Sequence, residues 1–103
     1  VSCFFSTKAI YASELKKGAE VLIGWNPNRL VSVRHEGDGT FTVIESVNSK
    51  LIEGDRFQAE SFMEGYPLYI PRILRNGEYT LPYIAGIKVG LNRVEVISEG
   101  DDQ

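Results

Sequence analysis

The sequence contains few of the residues from which enzymes build metal sites and nucleophilic centres. Cys3 is the only cysteine, so the chain can form neither an internal disulfide nor a metal site made of cysteines. His35 is the only histidine, and with Glu36 and Asp38 nearby it is a candidate general base. No nucleophile lies close to His35 in sequence, and a histidine at the end of a hairpin is more often solvated. We therefore predict no catalytic residue, no metal site and no cofactor.

The sequence also lacks long apolar runs and an excess of one charge. No apolar run approaches the roughly 20 residues that a membrane-spanning helix needs. Residues 1–52 carry six basic and five acidic side chains and residues 53–97 carry five and six, so these charges cancel. The formal net charge of −3 comes from Glu99, Asp101 and Asp102. A neutral body without a Lys/Arg cluster lacks the charge that nucleic-acid binding requires, so we expect neither nucleic acid nor membrane as partner.

What the sequence does contain is a regular rhythm of short apolar stretches. Apolar residues recur at every second position or in brief runs, and Gly, Asn, Asp or Pro interrupts them at short intervals. This rhythm is typical of antiparallel β-sheets. We predict an all-β fold, a small antiparallel barrel or a two-layer β-roll of about seven short strands. Residues 1–98 are expected to form one domain, and residues 99–103 a disordered acidic tail.

Two turn sequences predict β-hairpins. Gly37-Asp38-Gly39 separates runs at residues 30–36 and 40–47 that are rich in β-branched residues, and its glycines can supply the positive φ angles of tight turns. Asn76-Gly77 separates runs at residues 68–74 and 79–85 and is a strong hairpin signal. Both turns therefore predict antiparallel pairing of the strands that flank them.

The segments outside these hairpins carry weaker signals. Residues 56–63 predict one continuous strand with Phe57, Ala59, Ser61 and Met63 on the same side. Residues 12–17 predict a short helical turn that Ser13 caps and Gly18 ends.

One seven-residue pattern occurs twice, 36 residues apart. Residues 15–21 and 51–57 both read Leu-x-x-Gly-x-x-apolar. We interpret this pattern as shared turn chemistry rather than as a duplication: the Leu anchors a turn in the core, the Gly adopts a conformation that other residues avoid, and a strand begins at a fixed offset.

Acidic side chains are numerous enough to suggest a metal site or a glycosidase pair, but their positions argue against both. Most of them lie in or beside predicted turns, and Glu60 lies on the side of its strand opposite Phe57. Solvated charges occupy such positions. We therefore interpret six carboxylates as solvated: Glu36, Asp38, Glu53, Asp55, Glu60 and Glu64.

Aromatic residues concentrate in one segment of the chain. Four of the five tyrosines lie between residues 66 and 83, with three prolines and two arginines: Tyr66, Tyr69, Tyr79, Tyr83, Pro67, Pro71, Pro82, Arg72 and Arg75. Tyr and Arg are enriched at binding hot spots because each combines a large contact area with a polar group. The alternative is that the tyrosines form the core of a hairpin, and both readings hold if one face packs and the other binds.

The predicted register around Asn76-Gly77 assigns these side chains to faces, because successive side chains of a strand point to opposite sides. Leu74 opposite Tyr79 belongs to a core face with Leu68, Ile70, Leu81 and Tyr83. The other face is too apolar for solvent and is the predicted binding surface: Tyr69, Pro71, Ile73, Pro82 and Ile84, with Arg75 toward the tip. The prolines cannot donate ladder hydrogen bonds, so we expect a bend or bulge at an exposed sheet edge.

Two functional hypotheses follow. The first is a non-catalytic binding or assembly module that uses residues 66–85 as its contact surface, with another protein or a second copy of the chain as partner. The alternative is a small ligand-binding or enzymatic β-barrel with a pocket lined by Trp25 and the tyrosines.

Overall fold

The computed structural model describes residues 8–26, 28–80 and 87–100. The fold is all-β and antiparallel, as predicted. The described residues contain eleven short strands, more than the sequence indicates: β1 Ala9–Tyr11, β2 Glu20–Asn26, β3 Arg29–His35, β4 Thr40–Val47, β5 Arg56–Gln58, β6 Ser61–Met63, β7 Pro67–Ile70, β8 Ile73–Arg75, β9 Glu78–Tyr79, β10 Ile87–Gly90 and β11 Arg93–Ser98.

One large sheet and two small ones make up the architecture. The large sheet has seven strands in the order β11-β2-β3-β4-β5-β8-β9, and the small sheets pair β1 with β6 and β7 with β10. In the described part of the chain, the large sheet begins at β11 and ends at β9 without closing into a barrel. This order agrees with the two-layer alternative, a β-roll or sandwich.

The core lies between the inner face of the large sheet and the two small sheets. Buried positions alternate along the central strands: Val21 and Ile23 of β2, Val31 and Val33 of β3, and Phe41 and Val43 of β4. The small sheets add Ile10, Phe62 and Ile70 to the same cluster. The rings of Phe41 and Phe62 meet edge to face at 4.8 Å between centroids. The opposite face of the large sheet is partly or fully exposed.

The predicted hairpin at Gly37-Asp38-Gly39 is confirmed, but the one at Asn76-Gly77 is confirmed only beside its turn, because β7 pairs with β10, with Ile70 opposite Ile87, instead of with the 79–85 run. Strands β3 and β4 pair from Leu30 opposite Val47 to His35 opposite Phe41. In the turn between them, Gly37 and Gly39 have φ angles of +108° and +88°, the left-handed region that glycine adopts without strain. Strands β8 and β9 pair on either side of Asn76-Gly77, whose φ angles are +53° and +81°. Positive φ at both central residues is the requirement of a type I′ turn.

Two strands predicted to be continuous are interrupted, so those predictions were wrong. Residues 56–63 form β5 and β6, which belong to different sheets, and residues 68–74 divide into β7 and β8 in the same way. Phe57 and Phe62 are both buried, as are Ile70 and Ile73, although each pair is separated by an odd number of positions. A regular strand would send the two members of each pair to opposite faces, so the chain must turn between them.

The repeated pattern forms two equivalent turns. Leu51 is fully buried and Leu15 packs against the core, and strands β2 and β5 each begin five residues after the respective Leu. The glycines both have positive φ, +89° at Gly18 and +93° at Gly54. Each glycine N–H donates to a strand carbonyl at 2.8 Å, of His35 and Val43 respectively. The turn chemistry predicted from the pattern is therefore confirmed at both positions.

The predicted helical turn is shorter than residues 12–17 and is capped differently. A 3₁₀ turn spans Ala12–Glu14, and Tyr11 precedes it. The Tyr11 N–H donates to the Glu14 carboxylate at 3.2 Å, so Ser13 is not the cap. The turn ends at Glu14 with Leu15 as its C-cap, so Gly18 does not end it, although its φ is positive.

Candidate functional site

The hairpin of β8 and β9 has the predicted register. Leu74 lies opposite Tyr79 and Arg75 opposite Glu78. The Thr80 N–H donates to the Ile73 carbonyl at 2.8 Å, which continues the pairing by one residue. Turn chemistry was therefore sufficient to align the two strands.

The predicted faces of this hairpin are reversed, and the placement of Ile73 on an exposed face was wrong. Ile73 is fully buried, whereas Tyr79, predicted to be core, is 61% exposed. The break at residues 71–72 inverts the alternation, because Ile70 ends β7 on the core side and Ile73 starts β8 on the core side again. Within β7 the prediction is confirmed, since Ile70 is buried and Tyr69 is 57% exposed.

The other residues of the predicted binding face have separate positions. Pro71 is exposed beside Tyr79 and lines a groove described below. Pro82 and Ile84 lie outside the described residues. In the described part of the chain, the predicted surface thus retains Tyr69 and Pro71 and loses Ile73.

Arg75, predicted to point to a partner, is bound to a buried carboxylate instead. It donates from Nε to Oδ1 of Asp55 at 2.8 Å and from Nη2 to Oδ2 at 2.7 Å. This hydrogen bonding to Asp55 raises the pKa of Arg75 above its usual value. Asp55 is only 1% exposed, so its interpretation as a solvated turn residue was wrong. Its Oδ2 also accepts the Ile52 N–H at 2.8 Å, which ties the repeated turn to β8.

A groove of about 290 Å³ lies on the outer face of the large sheet beside this hairpin. We call it the arginine–tyrosine groove; it is lined by Thr40, Arg56, Phe57, Gln58, Pro71, Arg72, Leu74 and Tyr79. The pairing of the strands places the residues at the centre of this groove side by side. Arg56 of β5 lies opposite Leu74 of β8, and Leu74 lies opposite Tyr79 of β9. Side chains that are remote in sequence thus form one row across three strands.

The groove is positively charged, and no carboxylate of the described residues neutralises its two arginines. The Arg72 guanidinium lies over the Tyr79 ring, 4.5 Å from its centroid, in a cation–π contact. Neither Arg56 nor Arg72 forms an ion pair with a carboxylate in the described part of the chain. No acidic side chain lines the groove. Two guanidinium groups therefore face solvent next to an exposed aromatic ring.

From the sequence, neither Arg72 nor Arg56 was predicted to belong to the binding surface, although Arg72 lies in the aromatic segment. Arg72 was missed because the interruption between β7 and β8 reverses which side chains face the core, and this places Arg72 and Tyr79 on the outer face. Arg56 was identifiable from its own strand, since it precedes the buried Phe57 and must point the other way. That Arg56 and Arg72 line the same groove depends on the pairing of β5 with β8, a contact between distant segments.

A second, larger groove of about 760 Å³ adjoins the first, since Gln58 lines both. It is lined by Tyr11, Ala12, Ser13, His35, Gly37, Asp38, Gly39, Gln58, Ala59, Glu60 and Ser61. Asp38 is exposed here, and hydrogen bonding from the Thr40 side chain and then from its backbone N–H lowers the pKa of Asp38.

His35 lines this second groove but has a structural role. It is 2% exposed, so the expectation of a solvated imidazole was wrong. Its Nε2 accepts the Gly39 N–H at 3.0 Å, which assigns the proton to Nδ1, 3.3 Å from the Lys16 carbonyl that accepts it. The ring packs against Phe41 with 4.9 Å between centroids. Since both ring nitrogens bind backbone groups, neither is available to take a proton from a substrate.

Other classes of site find little support in the described residues. They contain no group of three or more His, Cys, Asp or Glu side chains arranged to hold a metal ion. They also contain no helix long and apolar enough to cross a membrane. The side chain of Trp25, which the alternative hypothesis places in a pocket, is not among those described. Comparison of the chain with protein-family models, curated proteins and solved structures found no match.

Proposed function

We propose that this protein is a non-catalytic binding module for a protein partner and that the arginine–tyrosine groove is its contact surface. The observation that carries the proposal is the exposed cation–π contact of Arg72 with Tyr79, with Arg56, which forms no ion pair with the described residues, in the same groove. Tyr and Arg dominate the residues that contribute most to protein–protein affinity. Pro71 and Leu74 add apolar area to the same groove.

The contrast between the arginines supports a binding role. Arg75 is held by Asp55 and stabilises the hairpin, whereas Arg56 and Arg72 make no ion pair with the described residues. Exposed arginines that the fold does not use are available to a partner. The groove volume of about 290 Å³ lies at the lower limit of small-molecule pockets and suits one or two anchoring side chains. For this groove, the size favours side chains of a protein partner over a small-molecule ligand.

A random peptide library displayed on phage and selected on the immobilised protein tests the proposal. We expect enriched peptides that bind the wild-type protein and bind Tyr79→Ala at least about tenfold more weakly, as for a hot-spot residue. Tyr11→Ala is the matched control, because Tyr11 is also exposed but lines the other groove. Equal binding to wild type and Tyr79→Ala would refute the assignment, and loss with Tyr11→Ala alone would move the site to the second groove.

The same variants show whether the partner is a second copy of the chain. Light scattering of the wild-type protein measures its mass in solution. An oligomer that Tyr79→Ala converts to a folded monomer would identify self-association through the groove. A wild-type monomer would leave a different protein as the partner.

A further inference from the structure

We propose that the arginine–tyrosine groove recognises a carboxylate, the Asp or Glu side chain of an extended segment of a partner protein, with Arg56 and Arg72 as its donors. This inference rests on the proposed function and adds the chemistry of the ligand. Its starting point is a local excess of positive charge on a protein whose body is otherwise neutral.

The contact with Tyr79 leaves the hydrogen-bond donors of Arg72 available. The guanidinium carbon of Arg72 lies 4.5 Å from the centroid of the Tyr79 ring, and Arg72 donates no hydrogen bond to the described residues. The contact therefore restricts Arg72 without consuming its hydrogen bonds. Planar N–H pairs match the two oxygens of a carboxylate, so the restricted group is suited to bidentate binding.

The remaining lining strengthens the preference for an anion. Arg56 supplies the second guanidinium, and the amide of Gln58 is a further hydrogen-bonding group at the groove. Since no carboxylate lines the groove, an anionic ligand meets no like charge there, whereas a cation would meet two. A buried or half-buried carboxylate paired with two arginines is also compensated for the water that it loses.

The position of the groove indicates an extended protein segment as the carrier of the carboxylate. Strand β9 is the last strand of the large sheet in the described part of the chain, and its Tyr79 lines the groove. A segment added along such an edge pairs through its backbone and directs alternate side chains toward the groove. Pro71 and Leu74 would contact the apolar neighbours of the acidic residue.

A single-stranded nucleic acid is the competing source of an oxyanion, and the observations favour it less. Nucleic-acid surfaces combine a stripe of basic residues with several stacking platforms. The arginine–tyrosine groove has two cations and one exposed ring, and the basic and acidic residues of the body balance. One carboxylate matches this charge better than a row of phosphates does.

The test compares a designed acidic peptide with its neutral twin. The probe is a fluorescein-labelled ten-residue peptide that alternates Val and Glu, and the twin carries Gln in place of every Glu. By fluorescence anisotropy we expect the acidic peptide to bind at least about tenfold more tightly than the twin, since charged hydrogen bonds are lost with Gln. Its affinity should fall as NaCl is raised from about 50 to 500 mM.

Arg56→Gln and Arg72→Gln should each weaken binding of the acidic peptide about tenfold or more and leave the twin unaffected. Arg93→Gln is the matched control, because it removes one exposed positive charge from β11 at the other end of the sheet; it should change the affinity less than twofold. Equal affinity for the two peptides, or equal losses in all three variants, would overturn the inference. Tighter binding of an oligothymidylate probe that depends on both arginines would replace the peptide by nucleic acid.

The phage selection separates this inference from the proposed function. Enriched peptides that are neutral but depend on Tyr79 would retain the binding module and refute the carboxylate. Enrichment of Asp and Glu that disappears with Arg56→Gln would support both. No enrichment that depends on Tyr79 would refute the binding module and the carboxylate together.

Discussion

The side chain of Arg75 donates two hydrogen bonds to the carboxylate of Asp55, with donor–acceptor distances of 2.8 and 2.7 Å. Asp55 is buried, whereas a quarter of the Arg75 side chain remains exposed. The contact joins the second copy of the repeated turn to the β8–β9 hairpin, and Arg75 also donates to the Lys50 carbonyl at 3.0 Å. The arginine at the tip of the hairpin therefore stabilises the fold, while its neighbour Arg72 is free for a ligand.

Replacement of Arg75 by Ala should destabilise the protein strongly. It leaves the carboxylate of Asp55 buried without a counter-charge, which costs about 3 kcal/mol, at the lower limit for broken buried pairs because Arg75 is partly exposed. Urea unfolding followed by circular dichroism measures the change. Arg72→Ala is the control and should change the free energy of unfolding by less than about 0.5 kcal/mol, as for an exposed site. Equal effects of the two variants would contradict the division of roles.

Ile73 should behave as a core residue. Because its side chain is fully buried, Ile73→Ala should lower the free energy of unfolding by about 2–5 kcal/mol. Tyr69→Ala is a suitable comparison, since Tyr69 was predicted on the same face but is 57% exposed, and it should cost less than about 1 kcal/mol. A folded and stable Ile73→Glu variant would restore the face assignment made from the sequence.

Local chemistry made part of this fold predictable. Gly37-Asp38-Gly39, Asn76-Gly77 and the two Leu-x-x-Gly turns each depend on a few neighbouring residues, and all four have the expected conformations. The interruptions at residues 59–60 and 71–72 depend instead on which sheet each half of a strand joins. The presence of Pro71 predicted a bend, but the direction in which the chain emerges from a bend is set by packing with distant segments.

The same distinction applies to the candidate site. Its residue types and its segment were predicted, since Tyr, Arg and Pro residues cluster between residues 66 and 83. The faces on which these residues lie were not predicted, because the interruption at residues 71–72 buries Ile73 and exposes Tyr79. The roles of Arg75 and Arg56 follow from Asp55 and from the pairing of β5 with β8, contacts that no local pattern specifies.

The Gly37–Gly39 turn should lose stability in acid through Asp38. Hydrogen bonding from Thr40 lowers the pKa of Asp38, so the folded state holds the ionised carboxylate more firmly than the unfolded chain does. The resulting stability is fully present above the ordinary pKa of 3.8 and is lost as pH falls through the lower pKa of the folded state. A carboxyl NMR titration should give Asp38 a lower midpoint in wild type than in Thr40→Val. Equal midpoints would show that the Thr40 side chain does not contribute.

Gly100 should belong to the folded domain. It has a φ of +89°, and a Cβ added to it would lie 2.7 Å from the Ala19 nitrogen and 2.8 Å from the Lys17 carbonyl oxygen. Gly100 thus lies directly against the first Leu-x-x-Gly turn, although the sequence predicts that residues 99–103 form a disordered tail. Truncation after Gly100 removes only Asp101, Asp102 and Gln103, and we expect it to leave the melting temperature unchanged.

Truncation after Ser98 should lower the melting temperature by several degrees, because it also removes the packing of Gly100 on Ala19; a loss of 1 kcal/mol corresponds to about 4–8 °C in a domain of this size. Differential scanning calorimetry of both truncations gives the comparison. Gly100→Ala supplies an independent check, since its methyl group would collide with backbone atoms that cannot rotate away. If truncation after Ser98 and Gly100→Ala both melt like the full chain, Gly100 belongs to the tail and the boundary predicted from the sequence at residue 98 stands.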